Sequence, residues 1–303
     1  MAAKRMLTSD YFEARICALE RAERFSTSQN YKRTWDSFRH FLCGKPLTMD
    51  QFSAELIGRY NRYLSRNGLL RNTISFYNRV LRALYNRAVR EGYARQCHPF
   101  SEVYTGVDTT RKRALSVETL RSIAALQLSG SGLELTRDLF LFSFQARGMA
   151  YVDMAYLTHS NLKDNAIRYT RHKTGQVITV RVEPWMQEIL DRWKGTTTYP
   201  YLLPILRSSN PKEAHTQYTA SLCAHNRNLK KIGKMVGLDY PLSSYSARHS
   251  WATVARDAQI PISIISSSMG HTSEGTTRIY LAQLDNGVID QANRQVWHTI
   301  GML

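Results

Sequence analysis

The chain has 303 residues, and with 43% hydrophobic and 11% aromatic residues it can bury extensive cores, so we expect two folded domains. Its 41 Lys and Arg against 24 Asp and Glu give a formal charge of +17, which indicates a polyanionic partner, nucleic acid before an anionic membrane surface. No apolar run approaches the roughly 20 residues that span a bilayer, and no secretory signal is evident, so we expect a cytoplasmic protein without membrane contact.

The first hundred residues are typical of helices that carry basic and aromatic side chains. Residues 27–42 and 72–90 each predict an amphipathic helix, because apolar residues recur there every three or four positions. Arginines on the other faces of the second helix favour contact with phosphates, which gives affinity but no sequence readout. We therefore expect residues 1–104 to form a helical DNA-binding domain. Its candidate DNA contacts are Arg71, Arg79 and Arg82.

Residues 105–114 are polar, then basic, and show no hydrophobic periodicity, so they predict a linker. Its candidate phosphate contacts are Arg111, Lys112 and Arg113. Ser116, with Glu118 shortly after it, then signals the start of a helix and of a second domain over residues 115–303.

The sequence of the second domain predicts helices around a small sheet. Residues 133–157 are mainly apolar and favour a long helix, interrupted near Gly148. Two alternating stretches flank a glycine turn and predict a β-hairpin with Lys173 near its tip. Further helices are predicted over residues 185–193, 222–236, 244–258 and 262–269. The predicted fold class is mainly α with a small antiparallel β-sheet, in two domains.

The cysteines are widely scattered along the chain, at Cys17, Cys43, Cys97 and Cys223. No close pair is present in the sequence, so neither a zinc site nor a disulfide framework is indicated. We expect reduced thiols, mostly buried, because free cysteine is among the most buried residue types.

The chemical argument depends on Arg248, His271 and Tyr280, which lie in the C-terminal region of the sequence. A phosphate diester is anionic, so cations must neutralise its oxygens before a weak oxygen nucleophile can approach. A phenol with a reference pKa of about 10 needs such neighbours to react at neutral pH. The sequence shows no carboxylate cluster suited to two magnesium ions, so the pattern argues against a metal nuclease.

In combination these residues resemble the tyrosine recombinases, also called the phage integrase family, over nearly the whole chain. The motifs are strongest in the last sixty residues, where an arginine followed by histidine, a Gly-His pair and a tyrosine after two threonines occur in order. The resemblance implies a SAM-like core-binding domain in residues 1–104 and a catalytic domain in residues 115–303. It implies no metal and no other cofactor.

The family resemblance also implies a role for each matched residue. Tyr280 would attack a scissile phosphate and form a 3′-phosphotyrosyl link, while Arg248 would hold the nonbridging oxygens. Lys173 matches the hairpin lysine that protonates the departing 5′ oxygen. His271 matches the Gly-His position, which orients the phosphate or assists the tyrosine.

Two positions depart from the family pattern. The first catalytic arginine of the family precedes an acid by three residues, and since Asp153 fits the acid, Ala150 stands where arginine is expected. Arg147 is one helical turn earlier, so we expect it to reach the same phosphate, the alternative being a structural role. Tyr245, three residues before Arg248, replaces the family's histidine. Its hydroxyl can donate a hydrogen bond but carries no positive charge.

The motifs in residues 147–157 and 244–251 resemble the branch that contains the DNA invertases of phase variation. The resemblance implies double-stranded DNA with inverted-repeat sites as the partner, a homotetramer on DNA, a monomer or weak oligomer when free, and a nucleoid-associated location in the cytoplasm. Residues 284–303 form a tail with a predicted amphipathic helix. The tail either docks on a neighbouring protomer or folds back on its own domain.

Two other functions stay open beside site-specific recombination by inversion or by integration and excision. A type IB topoisomerase uses the same phosphotyrosine chemistry to relax supercoils without exchanging partners. A catalytically silent DNA-binding or architectural protein fits the charge and the helices equally well. However, it gives no reason for Lys173, Arg248, His271 and Tyr280 to occur together.

Overall fold

A computed structural model of the chain describes residues 5–108, 114–128, 130–271, 273–275, 277 and 294. The chain divides into two compact units, Met1–Thr110 and Arg111–Leu303. Several residues singled out in the sequence lie outside the described residues. They are Arg111, Lys112, Arg113, Tyr280 and, apart from residue 294, the tail 284–303.

The first unit is helical. Its helices are α1 (Thr8–Arg21), α2 (Phe25–Leu42), α3 (Ala54–Arg66) and α4 (Arg71–Arg90). The helices predicted over residues 27–42 and 72–90 are thus confirmed. Large aromatic side chains fill the core, where Phe38 packs edge-on against Tyr60 with ring centroids 5.0 Å apart.

The chain that follows α4 returns along this helix and is fastened to it. Asp108 exchanges two hydrogen bonds with the Asn72 side chain, which donates to its carbonyl at 3.2 Å and accepts from its N–H at 2.8 Å. Ser75 donates a hydrogen bond to the carbonyl of Gly106. We call residues 104–108 the strap. The first part of the predicted linker is therefore bound to the first unit.

The second unit consists of helices around a three-stranded sheet. The helices are α5 (Val117–Ala125), α6 (Ser131–Gln145), α7 (Tyr151–Ala155), α8 (Pro184–Trp193), α9 (Pro211–Met235), α10 (Ser244–Asp257) and α11 (Ile262–Ser268). The strands β1 (Leu162–Lys163), β2 (Ala166–Thr170) and β3 (Val177–Arg181) are antiparallel and follow the order β1-β2-β3. Among the described helices, none combines the length and the apolar character needed to cross a membrane.

The predicted elements of the second unit are largely confirmed. Ser116 caps α5 by accepting a hydrogen bond from the Thr119 N–H, and β2 and β3 form the predicted hairpin. The long helix expected over residues 133–157 is two helices, because α6 ends at Gln145 and α7 begins at Tyr151. The mainly α fold with a small antiparallel sheet is confirmed.

The expectation that the cysteines are mostly buried is wrong. All four of them are exposed. Cys17 illustrates the reason, because it follows the buried Ile16 on α1 and adjacent helix residues point about 100° apart. A residue type that is usually buried is exposed here because its position in the helix repeat decides its direction.

Candidate active site

The second unit buries Arg248, which is only 2% exposed. Helix α10 begins after Ser243, whose side chain forms a capping box with Ser246, and this start places Arg248 in the second turn. The guanidinium donates hydrogen bonds to the carbonyls of Gly148 at 2.7 Å and Met269 at 2.6 Å, and to Nε2 of His271 at 2.9 Å. These acceptors are uncharged, so they orient the cation without neutralising it.

His271 is a neutral imidazole. Its burial and then the charges of Arg248, Arg171 and Lys173 lower its pKa to about 4. Because Nε2 accepts from Arg248, the neutral ring carries its proton on Nδ1, which lies 2.8 Å from the Thr277 hydroxyl oxygen. The histidine therefore fixes the arginine and is not itself a cation in the free protein.

A strained turn between α6 and α7 presents Arg147. Both Arg147 (φ 59°) and Gly148 (φ 71°) are in the left-handed region, and for a non-glycine residue this conformation costs about 1–2 kcal/mol. Buried Ser143 holds the turn, because its carbonyl accepts from the N–H groups of Gly148 and Met149 and its hydroxyl donates to the Met149 carbonyl. The turn also brings Gly148 so close to α10 that an added Cβ would lie 2.8 Å from the Arg248 Cα.

The helical argument for Arg147 is wrong, because residues 146–150 form this turn and no helix connects Arg147 to Ala150. Arg147 nevertheless directly precedes Gly148, whose carbonyl accepts a hydrogen bond from Arg248 at 2.7 Å. The phenol of Tyr169, on β2, has a pKa raised by burial, and the positive charges of Arg248, Arg171 and Arg147 oppose that rise. The charges of all three guanidinium groups thus act on the same phenol.

Lys173 lies in the turn between β2 and β3, where its side chain is exposed. Two backbone hydrogen bonds close the turn, from the Arg171 N–H to the Gln176 carbonyl at 2.8 Å and from the Gly175 N–H to the Arg171 carbonyl at 2.9 Å. The hairpin turn lies close to the Gly270-His271 segment, because a Cβ added to Gly270 would lie 3.1 Å from Oε1 of Gln176 in this turn.

The sequence analysis missed Arg171, which is 5% exposed and lies between the other parts of the site. Its guanidinium donates to the Gly270 carbonyl, and its Nε lies 3.9 Å from the buried Asp153 carboxylate. A signal was available in the alternation of β2, where Ile167 and Tyr169 are buried. Continuing that period of two turns residue 171 inward as well.

Tyr245 occupies the first turn of α10, one turn before Arg248, and is 44% exposed. Its ring meets that of His249 edge-on, with centroids 5.1 Å apart. His249 therefore packs locally, as expected of a residue about 100° around the helix from Arg248. Tyr280 lies outside the described residues, and the last described neighbour of the site before it is Thr277.

In the first unit the predicted DNA contacts Arg71, Arg79 and Arg82 are all exposed. Arg71 lies over the Tyr104 ring at 4.0 Å and forms an ion pair with Asp108 at 3.5 Å. Arg82 donates to the Thr105 hydroxyl at 2.9 Å. Two of the three arginines thus also hold the strap.

The arrangement around Arg248 is suited to an anionic substrate. It combines a buried guanidinium oriented by uncharged acceptors, Arg147 beside the Gly148 carbonyl that Arg248 contacts, and an exposed ammonium group on Lys173. Such preorganised cations stabilise the charge that develops on phosphoryl oxygens. Within the described residues, no group of three or more His, Cys, Asp or Glu side chains is placed to hold a metal ion.

Comparison with known proteins places both units in one family. A model of the phage integrase SAM-like domain matches residues 8–103, and a model of the phage integrase family matches residues 146–286. No curated protein matches the sequence significantly.

Solved structures share the fold at low sequence identity. A lambda integrase dimer bound to a COC′ core site has a TM-score of 0.65 and 18% identity, covering 91% of this chain and 77% of its own. A Tn1549 transposon integrase in complex with circular intermediate DNA has a TM-score of 0.63 and 15% identity, covering 96% and 99%. A lambda integrase tetramer on a Holliday junction has a TM-score of 0.61 and 15% identity, covering 93% and 79%. With its two domain matches, this chain belongs to the phage integrase family, the tyrosine recombinases, which cleave and rejoin DNA strands.

Proposed function

We propose that Arg248, Arg147, Lys173, His271 and Tyr280 form the active site with which this recombinase cuts and rejoins DNA at specific sites. The observation that carries the proposal is the orientation of Arg248, a buried cation held by the Gly148 and Met269 carbonyls and by His271. A guanidinium kept in position by uncharged groups retains its charge for a bound phosphate.

In the proposed reaction the Tyr280 oxygen bonds to the scissile phosphorus as the bond from phosphorus to the 5′ oxygen breaks. Arg248 and Arg147 neutralise the nonbridging oxygens, and the Tyr245 hydroxyl donates a hydrogen bond to one of them. Lys173 gives its proton to the 5′ oxygen, while the phenolic proton passes to water. Attack by the 5′ hydroxyl of another strand reverses the step, so rejoining needs no ATP.

We further propose that the enzyme assembles as a homotetramer on two DNA sites with inverted repeats, and that it exchanges strands between them. Support comes from the formal charge of +17 and from the lambda integrase of the same fold, whose structure is a tetramer on a Holliday junction. The relative placement and orientation of the two sites would then decide between inversion and integration or excision. A DNA-binding enzyme of this charge would associate with the nucleoid.

Covalent trapping tests the proposal. The purified protein is incubated without metal on nicked DNA fragments from around its own gene, and adducts are resolved under denaturing conditions. We expect an adduct with the native protein and none with Tyr280→Phe. Tyr199→Phe is a matched control, because Tyr199 is 85% exposed and stacks on His159, which is not part of the proposed site.

Other outcomes would contradict parts of the proposal. Cleavage by Arg147→Ala at the native rate would reject the role of Arg147. Relaxation of supercoiled plasmids without joining of two sites would favour a topoisomerase-like activity. Tight binding with no adduct on any fragment would favour an architectural DNA-binding protein.

A further inference from the structure

Arg171 connects three segments of the second unit through one buried side chain. Its guanidinium donates to the carbonyl of Gly270, next to His271, and its Nε lies 3.9 Å from the Asp153 carboxylate on α7. The packing is close, because a Cβ added to Gly270 would lie 2.8 Å from the Arg171 Cδ. The side chain of Arg171 is 6% exposed and that of Asp153 is 2% exposed.

The backbone of Arg171 forms the base of the turn that carries Lys173. Its N–H and carbonyl make the two hydrogen bonds that close this turn. The next residue, His172, is fixed by Asp153 as well, because its N–H donates to the carboxylate at 2.9 Å and its Nδ1 lies 3.2 Å from the same oxygen. One carboxylate and one guanidinium thus determine where the turn lies relative to Gly270.

We propose that Arg171, with Asp153 as its counter-ion, is a positioning residue for Lys173. The inference rests on the proposed role of Lys173 as the acid for the 5′ oxygen. Lys173 is exposed on a short turn, so it needs a support that keeps its ammonium group at the leaving oxygen while the Tyr280 oxygen bonds to phosphorus. Arg171 itself transfers no proton and makes no contact with the phosphate.

The geometry separates this role from that of a phosphate ligand. The Arg171 guanidinium is occupied by a carbonyl and lies near a carboxylate, whereas the partners of Arg248 described above are uncharged. A buried ion pair is costly to break from one side, because the remaining charge has no compensation. Arg171→Lys keeps the charge but cannot reach the carbonyl and the carboxylate with one planar fork.

Two modified substrates distinguish the roles. In a 5′-bridging phosphorothiolate, sulfur replaces the leaving oxygen, and the thiolate departs without an acid. In a methylphosphonate, a neutral methyl group replaces one nonbridging oxygen, so less cationic stabilisation is needed.

Single-turnover adduct formation is measured on both modified substrates and on the ordinary diester. The proteins compared are the native protein, Arg171→Lys, Asp153→Asn and Lys173→Ala. Arg181→Leu is the matched control, since Arg181 is exposed on the same hairpin.

We expect Arg171→Lys to slow cleavage of the ordinary diester on the order of 100-fold, in the range typical of a lost general acid. On the phosphorothiolate, the rates of Arg171→Lys and Lys173→Ala should both recover to within about tenfold of the native rate, because the leaving thiolate needs no general acid. Asp153→Asn should behave in the same way, and Arg181→Leu should match the native protein on all three substrates. Thermal unfolding and DNA binding identify any variant that has lost its fold.

The phosphorothiolate could rescue Lys173→Ala but not the folded Arg171 and Asp153 variants. This result would overturn the inference about Arg171 and leave the proposed role of Lys173 intact. Rescue of Arg171→Lys by the methylphosphonate would overturn it as well, because it would make Arg171 a ligand of the nonbridging oxygens. Failure of the phosphorothiolate to rescue Lys173→Ala would instead reject the proposed role of Lys173, and the inference with it.

Discussion

At the level of single residues, the protonation state of His271 has a kinetic consequence. Burial and the neighbouring cations lower its pKa to about 4, so the ring is neutral throughout the ordinary range of pH. The rate constant for adduct formation at subsaturating DNA reports ionisations of the free enzyme. We expect it to show no step near pH 6.5 that belongs to this ring. A step at that pH which disappears in His271→Gln would contradict the neutral assignment.

His225 makes a separate prediction about stability. This residue on α9 packs against the Tyr151 ring with centroids 4.6 Å apart, and among the described residues neither of its ring nitrogens has a hydrogen-bond partner. Burial lowers its pKa from 6.5 to about 4. The native state therefore binds fewer protons than the unfolded state between these values, and stability is complete above pH 6.5 and is lost as the pH falls towards 4.

The lowered pKa of His225 corresponds to a loss of roughly 3 kcal/mol in the free energy of unfolding at low pH. We expect His225→Phe to remove most of this loss and to keep the free energy of unfolding similar at pH 7.5, because an apolar ring replaces a group without partners. Urea unfolding at pH 7.5 and 4.5 measures both effects. The same substitution at the exposed His98, His98→Phe, is the control. If the native protein and His225→Phe showed the same pH dependence of unfolding, the assignment to His225 would be rejected.

At the level of elements, the turn between α6 and α7 decides where Arg248 can lie. A Cβ at Gly148 would approach the Arg248 Cα to 2.8 Å, and its φ of +71° disfavours any side chain. We expect Gly148→Ala to lower the free energy of unfolding by about 1–3 kcal/mol. It should also slow DNA cleavage on the order of 100-fold, because Arg248 is displaced, while DNA binding is retained.

The control for this turn is Gly132→Ala. Gly132 lies in α6, where the nearest atom to an added Cβ is 3.8 Å away, so the change should be neutral or should stabilise the helix by up to about 1 kcal/mol. Equal cleavage by Gly148→Ala and Gly132→Ala would show that the turn does not position Arg248.

The elements also show what the sequence could predict. Periodicity identified α4 and the hairpin, because a regular repeat and a buried face coincide there. It could not place Arg147, since a left-handed turn held by Ser143 depends on contacts outside the local pattern. Arg171 was missed for another reason, because an arginine is usually exposed, whereas the alternation of β2 points this one inward.

At the level of the whole molecule, the formal charge of +17 predicts salt-dependent DNA binding. Among the predicted contacts in the first unit, Arg79 is exposed and the described residues show no hydrogen bond or ion pair to its side chain, whereas Arg71 and Arg82 contact the strap. We expect Arg79→Ala to reduce the slope of log affinity against log salt by about 1, equally for specific and unrelated DNA. An unchanged slope would exclude a phosphate contact at Arg79.

The strap has a consequence for how the two halves of the molecule act together. Asp108 is bonded to α4 of the first unit, and the Leu115 N–H donates to Ser250 of the second unit at 2.8 Å, so a chain of six residues, 109–114, connects these two positions. Its fully extended reach is at most about 25 Å. Once one unit has bound DNA, this short connection keeps the other unit nearby at a high effective concentration, so the two units act as one bivalent ligand. Inserting ten additional flexible residues would lower this effective concentration about fourfold, because it falls roughly as the −3/2 power of linker length.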